Sequence, residues 1–211
     1  MGRQNCKKIF VKDTLGEVGR LIYAYTNNGQ NEFYNNQDKL SAWHISTVYK
    51  DMNVIVQEGI VQSSNLAKIN ADSVNTIRVI TGNINGEVVL LAAMMRFGRQ
   101  GSFIDNAHAG GFFVKVDIPT GILRGPAKRY HDINNYYEHP DSKIIFDGTQ
   151  IPRWEEAKAL VVKAATAFHE FKYMGWDVVV TEQDVMILEM NHDFGVGIQS
   201  VVGGLADKFK V

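Results

Sequence analysis

Two oxygen-bearing side chains near the end of the chain offer the clearest chemistry. Glu189 and Asn191 are two residues apart in the apolar segment Ile187-Leu188-Glu189-Met190-Asn191, and residues two apart on a β-strand point to the same face. Asp177 joins them across a hairpin if a three-residue loop connects the strands, whereas a two-residue turn sends it to the other face. Carboxylate and amide oxygens suit Mg²⁺, with phosphate oxygens completing its coordination. Acids that merely face solvent are the alternative interpretation.

A second set of residues is basic. Lys12 lies at the end of an apolar segment, and Arg78 and Arg96 lie inside apolar segments. A buried cation without a partner costs several kcal/mol, so each arginine needs an anion, either a structural carboxylate or a ligand. A two-residue turn at Asn85-Gly86 pairs Arg78 with Ala93 and leaves Arg96 on the opposite face. Only a bulge or a three-residue loop would let both arginines reach one ligand.

The elements that would position these residues follow from hydrophobic periodicity and from turn residues. The pattern predicts strands over 9–11, 21–25, 54–56 and 112–118, a helix over 36–52, a hairpin of 76–81 with 87–97, a helix from Pro152 to Gly175, and a terminal hairpin of 177–181 with 185–191. Residues 125–150 show no regular pattern. No repeat or low-complexity linker interrupts the chain.

Composition limits the classes of function. The 211 residues include 22 Lys+Arg and 23 Asp+Glu, for a net charge of -1, which argues against nucleic acid as a partner because phosphate binding needs a basic surplus. The single Cys6 excludes an intramolecular disulfide. No apolar run approaches the roughly 18 residues of a membrane span, and no secretory signal opens the chain. We therefore expect a soluble, cytoplasmic protein.

The order of these features resembles the ATP-grasp superfamily, typified by D-alanine:D-alanine ligase, and most closely its sugar-transfer-associated branch. The likeness to the superfamily includes Lys12 with its glycine loop, the arginine-bearing hairpin and the acidic terminal hairpin. The likeness to the branch rests on residues 73–81, Asp105-Asn106 followed by Gly110-Gly111, His139-Pro140-Asp141, Ile151-Pro152-Arg153-Trp154 and Gly175-Trp176-Asp177. It covers nearly the whole chain.

The resemblance implies an α+β ATP-grasp fold of two lobes, residues 1–59 and 60–211, each an antiparallel sheet with packed helices, and nucleotide between them. It also implies roles for residues. Lys12 would reach the ATP phosphates, and Gln57 and Glu58 would contact adenine, although Glu58 also fits an ordinary strand-end acid. Arg78 and Arg96 would contact the γ-phosphate and an acyl phosphate. Asn106 would contact the transferred phosphoryl group or the substrate. The magnesium ligands would be Asp177, Glu189 and Asn191.

The activity implied is an ATP- and magnesium-dependent ligase that joins a small-molecule carboxylate to an amine through an acyl phosphate, in surface-polysaccharide or sugar metabolism. A kinase on the same fold and a nonenzymatic nucleotide-binding module are the alternatives. The chain departs from the family pattern in two ways. Asp13 follows Lys12 where a proline is common, and only eleven residues precede Lys12, so we expect an upstream domain or partner chain to complete the enzyme.

Overall fold

The structure, a computed structural model, describes residues 6–15, 21–103, 105 and 110–209. The chain divides into two compact units, Met1–Val61 and Gln62–Val211. Each unit is built on one antiparallel sheet with a small number of helices. The α+β class predicted from the sequence is therefore confirmed.

The first unit is a five-stranded sheet in the order β4-β3-β2-β1-β5. Its core joins Val11 of the sheet to Tyr25 and Tyr49, and the Tyr25 hydroxyl is hydrogen-bonded to the Tyr49 hydroxyl at 2.6 Å and to His44 Nε2 at 2.9 Å. Polar tips inside a small core are thereby satisfied. The elements are β1 (Lys8–Asp13), β2 (Ile22–Asn27), β3 (Phe33–Asn35), β4 (Asp38–Lys39), α1 (Ala42–Val48) and β5 (Val54–Glu58).

The helix predicted over 36–52 is shorter than expected. Asn36 has a φ of 54° and turns the chain between β3 and β4, a left-handed conformation that asparagine tolerates better than most residues. The helix begins only after Ser41, whose side chain accepts a hydrogen bond from the His44 backbone N–H. This N-cap satisfies one of the amides left free at a helix start.

The second unit is a six-stranded sheet in the order β11-β10-β6-β7-β8-β9. One face packs on the long helix through Trp154, Ala157, Val161 and Ala165. The C-terminal segment, residues 192–209, packs through Ile198 and Leu205 on residues of the other face. The elements are α2 (Ser64–Ala67), β6 (Ile77–Ile84), β7 (Glu87–Phe97), β8 (Phe112–Val116), β9 (Leu123–Lys128), α3 (Trp154–Ala167), β10 (Tyr173–Val180), β11 (Val185–Asn191) and α4 (Gln199–Val202).

The sequence predicts two hairpins of this sheet, β6–β7 and β10–β11, and both are present. The strand β9 was missed because Gly125 and Pro126 interrupt its pattern, yet an edge strand tolerates a proline that cannot donate to the ladder. The helix α3 also ends earlier than predicted. The chain pairs with β6 from Tyr173 onward, so the last residues of the expected helix, 173–175, belong to the strand β10 instead. Within the described ranges, no helix is long and apolar enough to cross a membrane.

Candidate functional site

The two arginines of the β6–β7 hairpin share one face of the sheet. The turn is the two-residue Asn85-Gly86 type, and pairing runs in simple register from Ile84 with Glu87 to Thr81 with Leu90. Ile80 then pairs with Ala92, so Leu91 is an extra residue that forms a bulge. Arg78 consequently pairs with Met94 instead of Ala93, and Arg96, two residues farther along, points to the same side.

A second bulge sets the register of the terminal hairpin. Val180 pairs with Val185, a register that by itself would place Asp177 opposite Leu188. The ladder shifts between Asp177 and Val178, and Asp177 pairs with Glu189. The expected juxtaposition is therefore present, but a bulge creates it and not the three-residue loop on which the sequence argument relied.

Asp177 links both arginines through a buried ion-pair cluster. It is also the direct cross-strand partner of Arg78. Arg78 donates to both oxygens of Asp177, from Nε to Oδ1 and from Nη2 to Oδ2, the latter at 2.9 Å. Nη2 of Arg96 donates to Oδ2 of the same carboxylate at 2.7 Å. The Asp177 side chain is only 4% exposed, so the three charged groups compensate one another away from solvent.

A second carboxylate holds the other side of Arg96. Oδ2 of Asp105 accepts from the Thr76 backbone N–H at 2.8 Å and from the Thr76 hydroxyl at 2.5 Å, and it lies 3.7 Å from Arg96 Nε. Arg96 Nε itself donates to Thr76 Oγ1 at 2.8 Å. Sequence reasoning gave Thr76 and Asp105 no role, although Thr76 is two residues before Arg78 and therefore on its face.

The arginines differ in how much hydrogen-bonding capacity remains. Arg78 donates through Nε and Nη2 to Asp177, and through Nη1 to the Phe194 carbonyl oxygen at 2.9 Å. Arg96 uses Nε and Nη2, and its Nη1 makes no hydrogen bond to any residue in the described part of the chain. Arg96 is thus the arginine better able to donate to a ligand.

Charge coupling shifts the pKa values of Asp177 and Arg96 in the directions that favour their charged forms. Burial raises the pKa of Asp177, but the charges and hydrogen bonds of Arg96 and Arg78 outweigh burial and hold that pKa below its usual range. Burial lowers the pKa of Arg96, whereas the charges of Asp105, Asp177 and, more weakly, Glu189 raise it above its ordinary value. Asp177 and Arg96 are therefore both charged near neutral pH.

The segment after β11 closes one side of this cluster. Gly175 faces it, and a Cβ added to Gly175 would lie 2.4 Å from Phe194 Cβ and 3.4 Å from Arg78 Cδ. The absence of a side chain at 175 lets Phe194 approach the sheet closely enough for its carbonyl to accept from Arg78. This contact gives the physical reason for glycine at position 175 of the motif Gly175-Trp176-Asp177.

Glu189 and Asn191 lie at the edge of the same face. Glu189 is exposed, and Asn191 pairs with Gly175 in the ladder. Asn191 Nδ2 is buried and has no hydrogen-bond partner in the described part of the chain, and a half-turn of the amide would place Oδ1 there. An exposed carboxylate beside an amide oxygen without a protein partner fits Mg²⁺, which takes one or two protein carboxylates and completes its shell with phosphates and water.

Asp177 differs from those two residues because both of its oxygens are engaged by arginines. Its assignment to magnesium stays a prediction. Among the residues that the structure describes, no group of three or more His, Cys, Asp or Glu side chains is arranged to hold a metal ion. Any divalent cation held here would therefore depend on few carboxylates and on oxygens supplied by its ligand.

Two of the three residues expected to contact the nucleotide in the first unit meet each other. Lys12 Nζ donates to Gln57 Oε1 at 2.7 Å and lies 5.9 Å from the centre of the Phe10 ring. Glu58 points to the other face, next to Cys6, where burial and the Glu58 carboxylate raise the pKa of the thiol. Asn106 lies outside the described residues. The assignments of Lys12, Gln57, Glu58 and Asn106 stay predictions.

Comparison with known proteins supports the family suggested by the sequence. The family described as sugar-transfer associated ATP-grasp matches residues 9–208, which is nearly the whole chain. No curated protein matches the chain. The match spans both sheets and every residue of the buried charged cluster. The chain therefore belongs to the sugar-transfer associated ATP-grasp family, and its two antiparallel sheets with few helices form the α+β, ATP-binding fold of this ligase-type family.

Proposed function

We propose that the protein is a magnesium-dependent ligase that uses ATP to activate a small-molecule carboxylate as an acyl phosphate, which an amine then attacks. One observation carries this proposal. A single sheet face presents Glu189 and Asn191 next to the cluster of Arg78, Arg96 and Asp177. Oxygen ligands beside guanidinium groups are what a magnesium-bound triphosphate requires.

The residues of the chain would chiefly supply position and charge. Glu189 and Asn191 would hold Mg²⁺, and Asp177 would complete the predicted ligand set if Arg96 turned from it toward the phosphates. Bound there, the cation would supply charge neutralisation for the β- and γ-phosphates. Arg96 would donate from Nη1 to the transferred phosphoryl group, and Arg78 would hold Asp177 in place. No side chain has to act as a nucleophile, because the substrate carboxylate attacks phosphorus.

In the first unit, Lys12 would contact the phosphates and Gln57 and Glu58 the adenine ring. The lysine is a compact charge on a flexible chain, which suits it to a phosphate that changes position during transfer. Its hydrogen bond to Gln57 keeps it on the face of β1 that also carries Phe10. We propose Asn106 as a further polar contact to the phosphoryl group or substrate.

The first test of this proposal is nucleotide binding. The midpoint of thermal unfolding should rise with Mg-ATP and should not rise with ATP plus a chelator, because a ligand that binds only the native state stabilises it. Glu189→Gln and Asn191→Ala should abolish the magnesium-dependent part of the shift while leaving the midpoint without ligand unchanged. Glu170→Gln, at an exposed site in the turn after α3, is the matched control. An equal shift with ATP plus chelator would contradict a magnesium site.

The second test is turnover. A screen of carboxylate and amine pairs should find one pair that releases ADP, and Glu189→Gln should abolish that release. Full activity of this variant would refute the metal role of Glu189. A phosphorylated hydroxyl among the products would indicate the kinase alternative, and nucleotide binding without turnover for any pair would favour a binding module.

A further inference from the structure

The strand β8 carries one charged residue, Lys115, among buried apolar neighbours. Phe112, Val114 and Val116 belong to the core shared with α3, whereas Phe113 belongs to the cluster on the opposite face. Because side chains alternate along a strand, Lys115 lies on the face of Phe113. This is the face that carries the arginine cluster.

Strand pairing places Lys115 in the same row of the sheet as Arg78, with the buried Met94 between them. Arg78 pairs with Met94, Met94 pairs with Lys115, and Lys115 pairs with Arg124 of the edge strand β9. Direct partners share a face, so one row of the sheet runs from Glu189 and Asp177 through Arg78 to these two cations. With neighbouring strands about 4.8 Å apart, the backbone of Lys115 lies roughly 10 Å from that of Arg78.

The pairing of Lys115 with Arg124 places two cations directly opposite each other, which destabilises a sheet. An anion bound between them would relieve this repulsion. Within the described part of the chain, neither side chain forms an ion pair or hydrogen bond. The nearest acid along β8, Asp117, accepts from the Thr120 hydroxyl. Arg78 and Arg96, by contrast, have Asp177 as their anion. Among the described residues, this second basic position has no carboxylate as an ion-pair partner, although Asp147 accepts from the Gly125 backbone N–H beside Arg124 at 2.7 Å.

We propose that Lys115 and Arg124 bind an anionic group, a carboxylate or a phosphate, of the substrate that this site activates or joins. The inference rests on the proposed function and deepens it, because it assigns the substrate a negative group about one nanometre from the arginine cluster. Lys115 is partly buried and Arg124 exposed, so the pair is reached from the side of the edge strand β9. The C-terminal segment packs on Met94 and Phe113, between this pair and the arginine cluster.

The test is isothermal titration calorimetry, which measures the affinity of the full chain for inorganic phosphate and, separately, for succinate at constant ionic strength. The two probes distinguish a phosphate from a carboxylate. Lys115→Gln and Arg124→Gln should each weaken binding of the preferred probe about tenfold, the loss expected for one charged hydrogen bond. Lys115→Arg should retain binding. The control is Lys163→Gln, an equal change of charge at an exposed position of α3, which packs on the opposite face.

Absence of binding of both probes to the wild-type chain would overturn the proposal. So would equal affinity in Lys115→Gln, Arg124→Gln and wild type, or a loss confined to Arg96→Gln, which would place the anion at the arginine cluster. Failure of the proposed function shows separately, as the loss of the Mg-ATP thermal shift. Arg124→Gln lies on an exposed edge position and should fold, so it keeps the test decisive if Lys115→Gln does not.

Discussion

Arg78 and Arg96 donate to the same carboxylate, Asp177, although the turn that joins their strands would by itself place them on opposite faces. The extra residue Leu91 reverses the alternation between them. Lys208, in the C-terminal segment, donates from Nζ to the Leu91 carbonyl oxygen at 2.6 Å. The C-terminal segment therefore contacts both the bulge and, through Phe194, the arginine cluster that the bulge creates.

Replacing Asp177 with asparagine should strongly destabilise the fold. The substitution leaves two buried guanidinium groups next to each other without their common anion, and breaking a buried ion pair in this way costs about 3–5 kcal/mol. Urea unfolding of Asp177→Asn should show this loss in the free energy of unfolding. Asp184→Asn, in the exposed link of the same hairpin, should change it by less than about 0.5 kcal/mol. If Asp177→Asn lowered the free energy of unfolding as little as Asp184→Asn does, the charge of Asp177 would not be what stabilises the cluster.

The same carboxylate predicts how stability varies with pH. Its folded pKa is lower than the usual value because Arg96 and Arg78 outweigh the effect of burial, and an unfolded aspartate titrates near about 3.9. The contribution of Asp177 is therefore complete above the unfolded pKa and is lost as pH falls through the lower folded pKa. The difference in unfolding free energy between wild type and Asp177→Asn should be constant from about pH 5 to 7 and should shrink below about pH 4. A difference that stays constant down to the lowest accessible pH would contradict this linkage.

The sequence was sufficient for the elements of this site but not for its contacts. Alternation along the strands put Glu189 and Asn191 on one face, and charge inside apolar strands identified Arg78 and Arg96. The two bulges decide which residues meet, and a bulge depends on packing of the whole sheet. From the sequence alone, a bulge at the β6–β7 hairpin is therefore only one of two possibilities.

Other contacts of the site also depend on how distant segments pack, which the sequence does not show. Asp105 reaches Thr76 and Arg96 from a connection between strands, and a connection has no periodicity that shows where its side chains point. Phe194 contributes a backbone carbonyl, which any residue could supply. Lys115 was not singled out, because the pairing of β8 with Arg124 appears only when the missed strand β9 is present.

Gly175→Ala tests the close approach of the C-terminal segment. The added Cβ would lie 2.4 Å from Phe194 Cβ, so Phe194 must move and its carbonyl would be drawn away from Arg78 Nη1. Overpacking of this kind costs about 1–3 kcal/mol. The loss should appear in the free energy of unfolding, and Gly204→Ala, where an added Cβ meets nothing within 4 Å, is the control. Equal stability of the two variants would show that Phe194 is not held against the sheet.

His139 offers a test of the loop that leads toward Asp105. It is 1% exposed, packs against Phe112 and Phe146, and its Nε2 is 2.9 Å from the Gly98 carbonyl oxygen. The adjacent Asp141 accepts from the Gln100 backbone N–H at 2.8 Å and from Arg99. The motif His139-Pro140-Asp141 therefore fixes the chain just after β7.

Burial lowers the pKa of His139 below its usual value, more than the hydrogen bond to Gly98 raises it. Between the folded pKa and the unfolded value of about 6.5, the unfolded chain binds a proton that the folded chain does not. The stabilising contribution is complete above about pH 7 and decreases as pH falls below 6.5, by at most about 1.4 kcal/mol per pH unit. Urea unfolding should show this slope in wild type and in the exposed control His169→Gln, and His139→Gln should remove it. A slope that persists in His139→Gln would assign the linkage to another group.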